Sequence, residues 1–279
     1  MEVTRQSSFR VQGTPRRLSL AELASLDDVA VGLLIDGMKL PQVNFPATTR
    51  KSSANYLPLH AINKSDVSKI LDARKRFSID RAQHRILHMP CLEEFVSSSK
   101  TAGLSSTWFG TQLRSYLQIY SPKCPFRIAT SENLSGRGPE AAVFANRAFK
   151  IGEIIPLLGG VCVPLTRKDR LRLEESGKDF SILQSSCGRF LAMLLGPARF
   201  VNHDCMQNCE IVWPGESEAI VVALKDIHAD DEITVYYGSD YFGANNQECL
   251  CRPCTTDGKL RMSRRNRYAG NNDKIRGTE

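Results

Sequence analysis

Three cysteines fall within one short stretch near the end of the chain, Cys249-Leu250-Cys251-Arg252-Pro253-Cys254. A segment this short cannot bury a core of its own, and thiolates at this spacing suit one tetrahedral zinc ion. They supply three ligands, so a closed structural site needs a fourth from elsewhere. The candidates are Cys205 and Cys209, both in Asn202-His203-Asp204-Cys205-Met206-Gln207-Asn208-Cys209. The chain has 9 cysteines, an odd number without framework spacing. That argues against a secreted disulfide scaffold and, in a reducing compartment, for a metal site.

The rest of the sequence must therefore build a fold that presents this clasp. Its 279 residues, 42% hydrophobic, allow a sizeable core. No apolar run approaches the roughly 18 residues of a membrane helix, and the start MEVTRQSSFR lacks the apolar centre of a secretory signal. The expected compartment is the cytoplasm or nucleus. A net charge of +7 favours polyanionic company such as nucleic acid or chromatin, without naming a partner. Part of that excess lies in residues 258–279, a basic tail that reads either as a solvated, disordered end or as a non-specific DNA contact.

Along the chain, residues 1–17 are polar, basic and expected to be disordered. Ser19 has the look of an N-cap, with Glu22 three residues on and a helical pattern through Leu33 and Leu34. Residues 39–59 read as a loop. Helical patterns follow from about residue 65 through 77 and on towards 87, and again over 105–120. Beyond Pro125 the texture turns β-like. Residues 141–144, 190–195, 219–224 and 232–237 are strand candidates, and 153–163, with Gly159-Gly160 inside it, reads as strand, turn, strand. The predicted fold class is α+β. A helical N-terminal region at 18–124 precedes a β-rich region at 125–243, and a zinc-binding segment follows at 244–257.

Two motifs sit in the β-rich half. Asn202-His203 follows an apolar run, and Asp231-Glu232-Ile233-Thr234-Val235-Tyr236-Tyr237-Gly238 follows at a suitable distance. Alone, each has an ordinary packing explanation. Together with the cysteines, in this order, they resemble the SET domain, the fold of protein lysine methyltransferases that use S-adenosylmethionine. The resemblance implies a pseudoknot in which the Asn-His segment threads beside the strand ending in tyrosine. It also implies that Cys205, rather than Cys209, joins Cys249, Cys251 and Cys254 around zinc. Leu195-Gly196-Pro197-Ala198-Arg199-Phe200-Val201-Asn202-His203-Asp204-Cys205 is similar to the branch that di- and trimethylates lysine 20 of histone H4. So are Tyr236-Tyr237-Gly238-Ser239-Asp240-Tyr241-Phe242-Gly243 and Asp179-Phe180-Ser181, with Asp27-Asp28 in the helical part. Three departures stand out. Gln207 replaces a common proline, Leu194 replaces the tryptophan of animal members, and the loop at 133–140, with Gly136-Arg137-Gly138, is lengthened.

The resemblance implies a role for each matched residue. Tyr237 is the expected catalytic residue. Ala129, Thr130, Ser131, Glu132, Ala141, Asn202, His203 and Phe242 are expected to contact S-adenosylmethionine. Phe180 and Ser181 are expected along the substrate lysine, with the small Ser181 leaving room for an amine that already carries methyl groups. The implied partners are the histone H4 tail and the nucleosome, in nuclear chromatin. Three other readings remain: a SET enzyme for another protein, an inactive SET-like chromatin-binding module, and a zinc-containing nucleic-acid module. The last lacks the paired ligands and recognition helix of a finger.

Overall fold

The computed structural model describes residues 18–46, 63–72, 78–90, 92–93, 102–131, 140–176, 181–184, 191–215 and 217–256. Helix α1 (Leu20–Leu34) begins at the expected capping box. The Ser19 hydroxyl accepts the Glu22 N–H, and the Glu22 carboxylate accepts the Ser19 N–H at 2.8 Å. Its Val29, Leu33 and Leu34 are fully buried, each stabilising the fold by roughly 2 kcal/mol.

The stretch read as one helix from 65 to 87 is two. α2 (Lys64–Leu71) is capped by Asn63, and α3 (Ile79–Leu87) by Ser78. Each cap side chain accepts a first-turn N–H and restarts the helix. α4 (Ala102–Leu117) continues into a 3-10 turn, Gln118–Tyr120, and packs against α1 and α3.

Residues 39–59 are not wholly a loop. β1 (Met38–Leu40) and β2 (Val43–Phe45) form a hairpin, and Met38, Val43 and Phe45 point into the core. The N-terminal part is therefore not all-helical. β2 pairs in parallel with β3 (Phe126–Ser131), so the hairpin extends a sheet of the C-terminal half.

That sheet runs β1-β2-β3-β4-β11-β8, with β4 at Glu140–Ala145, β8 at Asn202–His203 and β11 at Glu232–Val235. The second sheet runs β6-β7-β5-β10-β9. Its strands are β5 (Ile154–Pro164), β6 (Ile182–Gln184), β7 (Leu191–Leu195), β9 (Cys209–Val212) and β10 (Glu218–Ala223). One hydrophobic core runs continuously from α1 and α4 into both sheets.

The Gly159-Gly160 pair is not a turn. It lies in the middle of the single strand β5, squeezed between β10 and β7. A Cβ on Gly159 would lie 2.9 Å from the Ala219 carbonyl oxygen. One on Gly160 would lie 2.8 Å from Leu194 Cδ1 and closer still to the Leu195 carbonyl oxygen. The glycines permit close strand approach rather than a reversal. A further helix, α5 (Arg167–Glu175), follows β5 behind a Thr166–Asp169 capping box and buries no residue fully. The last helix, α6 (Arg252–Thr256), is one short turn in the clasp.

β8 pairs in parallel with β11, Asn202 opposite Thr234 and His203 opposite Val235. Its neighbours in sequence belong to the other sheet, so the chain threads between the two layers, as the pseudoknot requires. Asn208 secures the thread. Its side chain donates to the Glu232 carbonyl and accepts the Thr234 N–H, both at 2.8 Å. An amide side chain here completes a ladder the backbone cannot.

Candidate active site and metal centre

β11 ends at Val235, so Tyr236 and Tyr237 lie just past the strand rather than within it. The two tyrosines differ. Tyr236 is exposed at 39%, and its hydroxyl accepts from the Asn246 amide at 3.3 Å. Tyr237 turns inward. Its hydroxyl donates to the Val201 carbonyl at 2.6 Å, and its N–H donates to His203 Nδ1 at 3.1 Å. Burial, reinforced by Tyr241, Glu140 and Glu232, holds the Tyr237 phenol well above its ordinary range. It is therefore a neutral phenol near pH 7 whose proton is committed to Val201. Its oxygen is left to accept from a third group.

His203, Tyr237 and Phe242 form an aromatic wall. Phe242 stacks on Tyr237 at 6.3 Å between ring centroids and lies 5.1 Å from His203. Tyr241 meets both Tyr237 and Phe242 edge-on at 4.8 Å.

Ser131 and Asn202 are brought together by a residue the sequence reading used only as strand. Glu232 accepts the Asn202 amide at 3.1 Å and the Ser131 hydroxyl at 3.3 Å. Burial first, then the neighbouring Asp204 and Glu140, push its carboxyl above the usual range against those two bonds. The only sequence signal for Glu232 is its place in the Asp-Glu-Ile-Thr motif. A carboxylate, a carboxamide and a hydroxyl converging here suit a ligand with a cationic amino-acid end.

The other expected contacts fall into place unevenly. Ala129 and Ala141 lie on the paired strands β3 and β4. Thr130 is exposed on the face opposite Ser131, its hydroxyl donating to the Asn44 carbonyl at 3.5 Å. Ser181 is half-buried with φ 58°, and its carbonyl accepts the Leu194 N–H at 2.9 Å. Glu132, Asp179, Phe180, Gly136-Arg137-Gly138 and the basic tail lie outside the described residues.

The clasp holds its sulfurs together. Cys205 Sγ lies 3.8 Å from Cys249 Sγ and 3.5 Å from Cys254 Sγ, and the Cys205 N–H points at Cys251 Sγ at 3.5 Å. A tetrahedron with metal–sulfur bonds of about 2.3 Å has edges of about 3.8 Å, so the spacing fits four thiolates around one zinc ion. The same sulfurs are far beyond disulfide length, and none of the four cysteines is in a disulfide. The Cys249 thiol donates to Cys251 and holds the Cys251 thiol below its ordinary range. His203 adds a competitor. Its Nε2 is 3.3 Å from Cys205 Sγ, and His203, Cys205, Cys249 and Cys251 place potential ligand atoms within 4.8 Å of one another. Yet its Nδ1 already accepts from Tyr237, so the ring orients the sulfur cluster and the tyrosine together. Cys209 sits apart, fully buried on β9, its thiol pushed up to about 12 by burial. Asn246 ties the clasp to the tyrosines: its amide donates to the Gly238 carbonyl at 2.6 Å and accepts the Phe242 N–H at 2.9 Å.

Residues 140–238 match the family model described as SET domain. Over 240 residues the chain is 39% identical to the protein named histone-lysine N-methyltransferase set9 of Aspergillus oryzae, covering 85% of this chain and 37% of that protein. The Aspergillus fumigatus protein of the same name is 40% identical over 240 residues, covering 85% and 38%. Histone-lysine N-methyltransferase SET9 of Gibberella zeae is 35% identical over 240 residues, covering 85% and 35%. The chain thus spans between 35% and 38% of the length of these three relatives. Residues 140–238, threaded by β8 and closed by Tyr237, are a SET domain.

Proposed function

We propose that this chain is a protein-lysine N-methyltransferase that uses S-adenosylmethionine and acts on lysine 20 of histone H4 in nuclear chromatin. The observation that carries the reading is Tyr237, a neutral phenol whose proton is held by Val201 beside Asn202 and His203. The names of the relatives support the histone part. The branch-like runs before Asn202 and after Tyr237 support the site on histone H4.

When bound, S-adenosylmethionine would supply the methyl group from its sulfonium, whose sulfur keeps the bond's electron pair and leaves as the neutral thioether. Asn202, Ser131 and Glu232 would hold its amino-acid end, with His203 and Phe242 as further contacts. Ala129 and Thr130 on β3 and Ala141 on β4 would contact it, Thr130 through its backbone, and Glu132 is proposed as a further contact. Tyr237 accepts an N–H of the substrate amine, aligning its lone pair. A lysine amine has a pKa of about 10.4, so little is neutral at pH 8. The apolar rings around Tyr237 disfavour the charged form, and the proton is lost to solvent before transfer. Alignment supplies much of the remaining acceleration. Phe180 and Ser181 line the lysine, and Ser181 leaves room for an amine that already carries one methyl group. Cys205, Cys249, Cys251 and Cys254 hold one zinc ion whose role is to order the clasp that carries Phe242. Basic residues on the surface and tail add non-specific contact with nucleosomal DNA.

The test uses labelled cofactor with two nucleosome preparations, one carrying normal histone H4 and one with lysine 20 replaced by arginine. Incorporation should be lost on the second. Equal incorporation on both overturns the site assignment and leaves a SET methyltransferase for another protein residue.

A further inference from the structure

α1 buries two adjacent carboxylates in its packed face, an expensive arrangement unless every lone pair is used. Asp27 is fully buried and Asp28 nearly so. Asp27 Oδ1 accepts the Gln112 amide and the Tyr116 hydroxyl from α4, each at 2.8 Å, and the Gly196 N–H at 3.0 Å. Its Oδ2 accepts from Arg199 at 2.7 Å, and Arg199 also reaches Asp28 at 3.4 Å. The guanidinium is itself 3% exposed. One carboxylate thus joins two helices of the N-terminal part to both ends of the short segment from Gly196 to Arg199.

That segment leads straight into the site. Gly196 has φ 92°, where an added Cβ would be strained and would meet Gly160 Cα at 3.2 Å. A 3-10 turn, Pro197–Phe200, follows, and then Val201, whose carbonyl receives the Tyr237 hydroxyl. Asn202 and His203 beyond it are anchored separately by the pairing with β11 and by Glu232. The Val201 carbonyl shares a peptide plane with the Asn202 N–H and stands where two anchorages meet: β8 holds it from one side, and the Gly196–Phe200 segment holds it from the other, through the Val201 N–H to the Ala198 carbonyl at 3.2 Å.

We infer that Asp27 is a positioning residue for methyl transfer, holding the Gly196–Val201 segment so that the Val201 carbonyl fixes the Tyr237 hydroxyl. This rests on the methyltransferase reading above. The helical N-terminal part is then a component of the catalytic geometry, acting through one buried carboxylate. The two anchorages predict a split. Loss of Asp27 disturbs Tyr237 while leaving the cofactor contacts of Asn202 and His203 in place.

The experiment compares wild type with Asp27→Asn, which keeps the shape and turns an amide towards Arg199. Calorimetry with S-adenosylhomocysteine counts competent sites, and turnover is expressed per site. The expected result is an affinity within about threefold of wild type and a turnover per site at least tenfold lower. Unchanged turnover per site, or affinity and turnover falling together, overturns the inference. If Asp27→Asn does not fold, Tyr116→Phe removes one donor and keeps the charge pair. It should lower turnover per site about threefold with affinity unchanged, and unchanged turnover or an equal fall in affinity there also overturns it. A readout independent of activity is the carbon-13 resonance of the Tyr237 ring, assigned with Tyr237→Phe. It should shift in either Asp27→Asn or Tyr116→Phe, and an unmoved resonance in the folded variant counts against the inference. A wild-type chain that methylates nothing removes the proposed function, while the resonance still decides the positioning role.

Discussion

Gly160→Ala tests how the two sheets meet behind the site. The new methyl would stand 2.8 Å from Leu194 Cδ1, where carbon atoms prefer about 3.5–4.0 Å, and would press harder on the Leu195 carbonyl oxygen. Leu194 can shift its side chain. The Leu195 carbonyl cannot move alone, because Leu195 pairs with Val161 across β5 and β7. Separating the strands by the better part of an ångström costs about 3 kcal/mol, the upper part of the over-packing range. The lower entropy of the unfolded alanine chain returns about 0.5–1 kcal/mol, leaving a net loss of about 2 kcal/mol. With a urea m value near 3 kcal/mol/M, the unfolding midpoint should fall by about 0.7 M. Gly215→Ala, which meets no atom within 4 Å, is the control and should stay within about 0.5 kcal/mol of wild type. Equal midpoints for the two variants would refute the close approach of β5 and β7 and restore the turn reading of Gly159-Gly160.

Three further outcomes are expected. Tyr237→Phe should lower turnover at least tenfold with cofactor affinity nearly unchanged, since one hydroxyl is removed from the reacting end; unchanged turnover moves suspicion to Tyr236. Metal analysis should give about one zinc per chain, lost in Cys254→Ser and kept in Cys209→Ser. Retention in Cys254→Ser with loss in His203→Ala would instead place the imidazole among the ligands. The raised Glu232 carboxyl makes the native state the better proton holder. Its contribution is full below the unfolded value and lost as pH rises through the folded one, so Glu232→Gln should raise Tm over wild type more at pH 7 than at pH 4. An equal difference at both pH values contradicts the burial of that charge.

What the sequence made legible was whatever rests on local pattern. Ser19 and Glu22 announce α1 because a capping box is local chemistry. The cysteines, Asn202-His203 and Tyr237 announce the site because their spacing is unusual. The hairpin β1–β2 was hidden because three-residue strands show too little alternation, and its pairing with β3 is set only in three dimensions. α5 escaped notice because it buries no full apolar stripe, although Thr166 and Asp169 form a box. Gly159 and Gly160 were misread because the carbonyls that exclude a side chain come from β7 and β10. Glu232 reads only as part of a strand, and its partners come from β8 and β3, which the fold brings beside it. Asp27 lies on the buried face of a helix, where pattern alone offers no partner. Arg199, its partner, is far along the chain.

The threading of β8 beside β11 has a consequence in time. Between these strands in sequence stand β9 and β10, which are held in the other sheet. A parallel pair enclosing such a loop gains nothing until the entropy of closing it has been met, and contacts of this kind slow folding. The hairpin β1–β2 is built from near neighbours and is under no such delay, whereas α1 meets α4 across a longer stretch still, Asp27 to Gln112. Val201, Asn202, His203 and Tyr237 reach one another only when the thread is drawn, and the cysteines at 249–254 leave the ribosome after all of them. A chain cut short before Cys249 thus carries Asn202, His203 and Tyr237 without the cysteines against which Phe242 packs.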